Sequence, residues 1–240
     1  MNGALILLCA GRGKRMRRAV ADKTLARVAG RTVFARSLGA FVRAKVAGQI
    51  VIAHRSPAQM RRLVAELARV KGAAKLKVAW VRGGAERQDS VSAALAALTG
   101  EKGLVFIHDC ARPLVAPKQI RRLASAARKH GAAVLAHRVT DTIKKTKKKP
   151  GRAARLKTVN RDHLWAVETP QAFDRRLIVR AYEIVRQRGV RVTDDTQAVE
   201  VAGGWIAIVE NPDPNPKITS PADIALVEHL LGVCRPNSKR

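Results

Sequence analysis

An apolar run from Ala4 to Leu8 gives way at once to CAGRGKRM, Cys9 to Met16. Gly11 and Gly13 let the main chain approach a ligand and turn N–H groups toward it, Ala10 stands beside them, and Arg12, Lys14 and Arg15 add fixed positive charge. This is the combination a polyphosphate needs. It is not a Walker A loop, because Leu8 stands where the first Gly belongs and Arg15 where the Ser/Thr belongs; Cys9 ahead of the glycine pair also breaks GxGxxG. A tight strand-to-helix connection explains the glycines as well. A second glycine edge, VRGGAERQDSV from Val81 to Val91, offers Gly83, Gly84, Arg87 and Ser90. There Ser90 or Asp89 can instead serve as a helix N-cap, with Arg87 at the surface. A third segment, HDCARP from His108 to Pro113, projects Asp109 and Arg112. Asp109 can orient a hydroxyl, approach a divalent ion, or form a local ion pair with Arg112.

These segments need a scaffold that brings them to one edge. Short Val/Ile/Leu-rich runs at Ala4–Leu8, Gln49–Ala53, Lys77–Val81, Leu104–His108, Ala132–Ala136 and Trp205–Val209 predict buried strands. Between them, helical patterns cover Thr32–Ala47, Ser56–Lys71, Ser90–Leu98, Pro117–His130 and Leu177–Arg188; the second places Met60, Leu63, Val64, Leu67 and Val70 on one face. Alternation of strand and helix predicts an α/β fold, a mainly parallel twisted sheet with helices on both faces and ligands beyond the carboxyl ends of the strands. Thr193, Asp194 and Asp195 precede a further helical run and read as an N-cap with favourable charges. Trp165 reads as a core or dimer-contact aromatic. Residues 138–161 break the alternation: KKTKKKPGRAARLK carries a Pro-Gly turn and a dense run of cations, which fits a projecting β-arm or a solvated loop. One domain is expected over 1–233, with the arm at 138–161 and a basic tail at 234–240.

Composition limits the functional classes. At 240 residues and 47% hydrophobic, the chain can bury a sizeable core and is not expected to be disordered. Its net charge of +29 predicts nonspecific attraction to polyanions without choosing among them. Three Trp, one Tyr and four Phe are too few for single-strand binding by stacking. Cys9, Cys110 and Cys234 show neither disulfide-framework nor zinc spacing, which fits a reducing cytoplasm. The N-terminal apolar run is too short for a signal peptide, and no apolar run approaches membrane-spanning length, so no membrane association is expected. The six histidines form no HxxxH pair and no triad.

In order and spacing, CAGRGKRM with Lys23 downstream, GGAERQDSV, HDCARP, DTIKK, NRDHLWAVETPQAF, VTDDTQAVE and PKITSPADI resemble the 2-C-methyl-D-erythritol 4-phosphate cytidylyltransferase family, from about residue 4 to residue 231. The resemblance implies a Rossmann-like nucleotidyltransferase fold, a homodimer formed through the β-arm, and transfer of the cytidylyl group of CTP to a polyol phosphate with Mg²⁺ or another divalent cation. It implies that Ala10, Gly11 and Gly13 hold the CTP phosphates and that Arg15 and Lys23 stabilise charge at the α-phosphate. Gly84, Arg87 and Ser90 would meet cytidine and ribose, and Asp109 and Arg112 would contact hydroxyls and nucleotide. Thr142 on the arm, Thr169 of TPQ, Arg161 and Lys217 would grip the acceptor, with Thr142 and Arg161 reaching a partner's site. No direct metal ligand is assigned.

The chemistry is consistent with that assignment. Two anionic groups must be pressed together, and cations that position them and stabilise charge do this without a covalent nucleophile. The chain departs from the family pattern at Cys9 and Cys110, where alanine is usual; at Asp22-Lys23-Thr24, which lacks the usual proline before the lysine; and at Pro216, directly before Lys217. Both thiols are expected to pack as small hydrophobes, and Pro216 to stiffen its loop. A cytidylyltransferase for another polyol phosphate such as ribitol 5-phosphate is the nearest alternative. An RNA-binding protein on a degenerate nucleotidyltransferase scaffold is the alternative from another class.

Overall fold

The computed structural model describes residues 3–11, 13, 16, 20–147, 151 and 153–232. Its centre is a seven-stranded sheet built from β1 (Ala4–Leu8), β4 (Gln49–His54), β5 (Lys77–Arg82), β6 (Leu104–Asp109), β7 (Ala132–Arg138), β10 (Trp165–Asp174) and β11 (Ala207–Glu210), in the order β11-β7-β10-β6-β1-β4-β5. All neighbours are parallel except β10, which runs antiparallel to both β6 and β7. Two short ribbons lie outside it: β2 (Arg27–Val28) with β3 (Arg31–Thr32), and β8 (Lys144–Lys145) with β9 (Lys157–Thr158).

The strands form because alternate residues feed two cores. Leu5, Leu7, Ile50 and Ile52 point to one face, where α1 (Val33–Ala44), α2 (Pro57–Ala68), α4 (Pro117–His130) and α7 (Pro221–Leu230) contribute Phe34, Leu63, Ile120 and Val227. Ile6 and Val51 point to the other, against α3 (Arg87–Ala96), α5 (Arg175–Gln187) and α6 (Asp195–Val201). The expected α/β fold with a mainly parallel sheet is therefore what the chain adopts. Among the described residues, no helix is long and apolar enough to cross a membrane.

Several local expectations need correction. β10 was not predicted, because Glu168, Thr169, Pro170 and Gln171 break its apolar run; the three polar side chains are buried on hydrogen-bond partners instead. The last strand starts at Ala207, and Trp205, expected inside it, is 88% exposed. Helix α1 stops at Ala44 because Lys45 adopts a left-handed cap, three residues before the predicted end. Val64 is exposed and leaves Leu63 as the main apolar anchor of α2. Helix α3 begins at Arg87 with Glu86 as its N-cap, so neither Ser90 nor Asp89 caps it; the Asp89 carboxylate instead accepts from the Glu86 N–H at 2.9 Å. In the arm, β8 and β9 pair antiparallel, Lys144 opposite Thr158, and the Val139 N–H donates to the Leu164 carbonyl. The tail at 234–240 lies outside the described residues.

Candidate active site

The strand order reverses at β1: β4 and β5 lie on one side of it and β6 on the other. At such a point connections diverge to opposite faces and leave a crevice beyond the carboxyl ends. The crevice here is a cavity of about 510 Å³ whose wall includes Ala10, Gly11, Lys23, Gly84, Arg87, Ser90, Asp109 and Lys217, all singled out in the sequence. Arg55 and Arg82, at the ends of β4 and β5, line it as well. They were missed, although each follows a predicted strand, the position where a ligand-facing cation belongs.

The two glycine edges meet for steric reasons. A Cβ on Gly83 would stand 2.4 Å from that of Ala10 and 2.8 Å from Ser90 Oγ, so the close approach of the β1 and β5 loops requires a residue without one. Among the described residues nothing lies within 4 Å of where a Gly11 Cβ would point, and Gly11 is part of the cavity wall. Ser90 Oγ accepts from the Gly84 N–H at 3.1 Å and ties the second edge to the first turn of α3. Gly13, at φ +60°, does not line the cavity. Arg12, Lys14 and Arg15 lie outside the described residues.

Lys23 is held by the residue that replaces the proline. The Asp22 side chain accepts from the Thr24 N–H at 2.9 Å and the Thr24 hydroxyl at 2.7 Å, while its second oxygen takes Arg55 at 2.8 Å and Gln59 Nε2 at 2.7 Å. Gln59 Nε2 also donates to the Cys9 carbonyl. A buried carboxylate thus pins the Lys23 turn to β4 and α2 in place of a ring constraint. Lys23 Nζ donates to the Ile218 carbonyl at 3.1 Å, next to Lys217.

Asp109 is the hub. Its carboxylate accepts Arg87 Nε at 3.2 Å and pairs with Lys217 Nζ. Burial alone would raise its pKa, but the charges of Arg87 and Lys217 outweigh burial and hold it far below the usual carboxylate range. Arg87 in turn gives two bonds to Asp195, at 3.0 and 2.7 Å. Asp195 is wholly buried and also accepts the Tyr182 hydroxyl at 2.6 Å. Burial opposes the Arg87 charge, yet Asp195 and Asp109 push its pKa further up, so the guanidinium stays charged. The sequence reading gave Asp194 and Asp195 one capping role. Asp194 is the N-cap of α6, accepting from Gln197, whereas Asp195 anchors Arg87. Only the doubled aspartate hinted at two functions.

Two assigned residues stand behind the cavity wall. Thr169 Oγ1 accepts the Asp109 N–H at 3.0 Å and lies 3.2 Å from His108 Nδ1, while His108 Nε2 lies 3.2 Å from the Arg112 carbonyl. A carbonyl only accepts, so Nε2 carries the proton and Nδ1 accepts from the threonine. Burial pushes the His108 pKa down to about 3, and the ring is neutral. Arg112 forms no ion pair with Asp109, contrary to the local-pair alternative; its Nη1 donates to the Asn215 carbonyl at 2.6 Å. Asn215 Nδ2 reaches Glu168 at 2.8 Å and the Thr169 carbonyl at 3.0 Å, which fixes the segment ahead of Lys217. Thr142 and Arg161 are on the arm, exposed and outside the cavity wall; Arg161 donates to the Thr140 carbonyl. Trp165 is half-buried with the Arg138 guanidinium 4.7 Å above its ring.

Cys9 and Cys110 are free and buried, one step beyond the paired residues Leu8 and Asp109. Burial and then the neighbouring Cys110 thiol raise the Cys9 pKa well above its ordinary value, and both side chains are fully buried in the core as small hydrophobes.

Residues 4–233 match the family described as 2-C-methyl-D-erythritol 4-phosphate cytidylyltransferase. The protein of that name from Geobacillus kaustophilus is 40% identical over 96% of this chain and 97% of its own length, and the one from Halalkalibacterium halodurans is 39% identical over the same shares. Among solved structures, the 4-diphosphocytidyl-2C-methyl-D-erythritol synthase of Anaerococcus prevotii superposes with a TM-score of 0.80 at 28% identity, covering 96% of each chain. The 2-C-methyl-D-erythritol 4-phosphate cytidylyltransferase of Thermus thermophilus gives 0.76 at 30% identity, covering 97% of this chain and all of that one. The chain belongs to the 2-C-methyl-D-erythritol 4-phosphate cytidylyltransferase family.

Proposed function

We propose that this chain transfers the cytidylyl group of CTP to 2-C-methyl-D-erythritol 4-phosphate, forming 4-diphosphocytidyl-2-C-methyl-D-erythritol and pyrophosphate. A phosphate oxygen of the acceptor attacks the α-phosphorus in line; one P–O bond forms as the bond to the β-phosphate oxygen breaks. The observation that carries this reading is the cavity, where a glycine loop, four cations (Lys23, Arg55, Arg82, Arg87) and Lys217 converge at the switch point of the sheet. Such a site answers the main difficulty of the reaction, the mutual repulsion of two phosphates, by preorganised positive charge.

In this reading Ala10 and Gly11 on the cavity wall, and Gly13 beyond it, present main-chain N–H groups to the triphosphate, and Lys23 with Arg15 meets the charge that builds on the α-phosphate. Gly84, Arg87 and Ser90 take the nucleoside end. Asp109 accepts hydroxyls, Lys217 and Arg161 take the acceptor phosphate, and Thr142 joins them from the arm. Thr169 and Arg112 position these groups: Thr169 through the Asp109 main chain and Arg112 through the segment before Lys217.

Mg²⁺ fits this donor set as an ion held mainly by nucleotide oxygens. Among the described residues no three His, Cys, Asp or Glu side chains gather into a cage, whereas the cavity wall includes two carboxylates, Glu86 and Asp109, the latter held ionised by its cations. Magnesium is commonly held by one or two carboxylates together with substrate phosphates. When bound, the ion would draw charge from the phosphates and favour the departure of pyrophosphate.

The arm, Arg161 and Thr142 lie apart from the cavity of their own subunit, and this favours a homodimer in which each arm serves its partner. Cytoplasmic localisation is part of the same proposal. The test is pyrophosphate release from CTP with either methylerythritol phosphate or ribitol 5-phosphate; preference for ribitol 5-phosphate would overturn the acceptor assignment. Lys23→Ala should lower turnover on the order of 10²- to 10³-fold at unchanged melting temperature. Full activity in that variant would remove Lys23 from the mechanism.

A further inference from the structure

The transferase chemistry accounts for the cations in the cavity but not for those on the outer surface of α4 and α1. Helix α4, 14 residues and so about 21 Å long, turns Ile120, Leu123, Ala124 and Ala127 inward and exposes Lys118, Arg121, Arg122, Arg128 and Lys129. Helix α1 lies beside it and adds Arg43 and, at its C-cap, Lys45. Neither helix contains a carboxylate. On the opposite face of the sheet, Arg176, Arg180 and Arg186 of α5 are interleaved with Glu183 and neighbour Glu200 of α6. A uniform excess of basic residues would load both faces alike.

Helix stability does not explain the α4 pattern. Arg128 and Lys129 lie in the last turn, where cations favour the helix, but Lys118 stands in the first turn and repels Arg121 and Arg122 at spacings of three and four residues. That arrangement costs local stability unless an external anion relieves it. We propose that the exposed face of α4 and α1 is a docking surface for double-helical RNA, read through its phosphates. This inference does not depend on the transferase reading.

The kind of partner follows from what the surface lacks. None of the strongly exposed large apolar side chains belongs to α1 or α4, so nothing here anchors in a bilayer. The aromatics of α1, Phe34 and Phe41, are buried, which excludes stacking on unpaired bases. The exposed face of α4 carries cations, Ser125 and His130 but no exposed Asn or Gln, so it suits phosphates rather than base edges. A basic strip without base-reading amides fits the wide, shallow minor groove of an A-form helix and its bordering phosphates.

The test measures fluorescence anisotropy of the full chain with a labelled 20-base-pair RNA duplex, the same sequence as DNA, and phosphatidylglycerol vesicles, near physiological salt and with CTP and Mg²⁺ present. The variant Lys118→Gln/Arg121→Gln/Arg122→Gln/Lys129→Gln should lose at least tenfold in RNA affinity and about 3 units of salt slope. Its melting temperature should stay level or rise slightly, as the repulsion among these residues is removed, and pyrophosphate release should be unchanged. Arg176→Gln/Arg180→Gln/Arg186→Gln/Arg188→Gln, which removes the same charge from the other face, should stay within about twofold of the parent. Equal losses in both variants would assign the affinity to net charge alone and overturn the proposal. Equal binding of RNA and DNA, stronger binding to vesicles, or displacement by CTP would overturn it too.

Discussion

Arg87 and Arg161 are both guanidinium groups assigned to substrate, one to the nucleoside end and the other to the acceptor phosphate, and they are held by opposite means. Arg87 makes three bonds to two buried carboxylates; those carboxylates are tied to Tyr182 and Lys217, and the Asp195 main-chain N–H donates to Gln171. Arg161 is exposed, and its guanidinium donates to a main-chain carbonyl of its own arm. The cavity therefore meets the cost of ordering its charges during folding, while the arm leaves that cost to be met when ligand or partner arrives. A site of fixed cations stabilises charge from the moment substrate enters. A mobile cation can select a substrate and still move away for product release.

The largest effect should come from breaking the fixed half. In Asp195→Asn one carboxylate oxygen becomes an amide that repels Arg87, leaving a charge that is largely buried with a poorer partner. Loss of one partner of a buried pair costs about 3–5 kcal/mol, so chemical denaturation should show a drop of that order. Turnover at saturating substrate should fall by about 10² if Arg87 must be in place before substrate binds. A variant that unfolds earlier yet turns over normally at low temperature would show that Asp195 serves the fold alone. Tyr182→Phe, which removes one hydrogen bond from Asp195, should cost only about 1 kcal/mol.

Proton linkage separates the two regions at a smaller scale. His108 remains neutral in the folded protein down to about pH 3, whereas the unfolded chain takes up its proton near pH 6.5. The unfolded state thus binds more protons between these values, and stability falls as pH drops. For this one residue the loss approaches 1.4 kcal/mol per pH unit, or about 2 kcal/mol from pH 6.5 to 4.5. The depressed pKa of Asp109 adds a loss in the same direction, confined to pH below its unfolded value near 4. Comparing denaturation of the parent and His108→Gln across that range checks the assignment, since the variant should show the shallower slope. Identical slopes would mean that His108 is not buried in neutral form.

The same contrast decides what could be read in advance. The β1 loop, the Gly83–Gly84 edge and Asp109 were legible because each follows a short apolar strand, and local sequence places them at one rim once the sheet is assembled. Asp22, Asp195, Glu168 and Gln59 were not, because the partners that fix their roles are 33 to 108 residues away and no local pattern announces them. The strand β10 was missed for a related reason. Its polar centre suits a buried strand only because Asn211, Asn215, Gln171 and the N-terminus of α6 meet there. Long-range satisfaction of polar groups converted a segment that looks like a loop into the middle of the sheet.

Arg161 gives the sharpest test of the adaptable half. An exposed side chain whose bond is to its own arm contributes little to the fold, and Arg161→Ala should leave denaturation unchanged within about 0.5 kcal/mol. If the group acts only after a ligand arrives, its loss weakens the grip on the acceptor phosphate without altering the fixed cations at the α-phosphorus. The expected kinetic signature is a KM for the acceptor raised by about tenfold, with turnover at saturation and KM for CTP nearly unchanged. Arg161→Lys should recover only part of the affinity, because a point charge lacks the two-pronged fit to a phosphate. A fall in turnover equal to that of Lys23→Ala would place Arg161 among the fixed cations. The division between a preset cavity and an adaptable arm would then have to be abandoned.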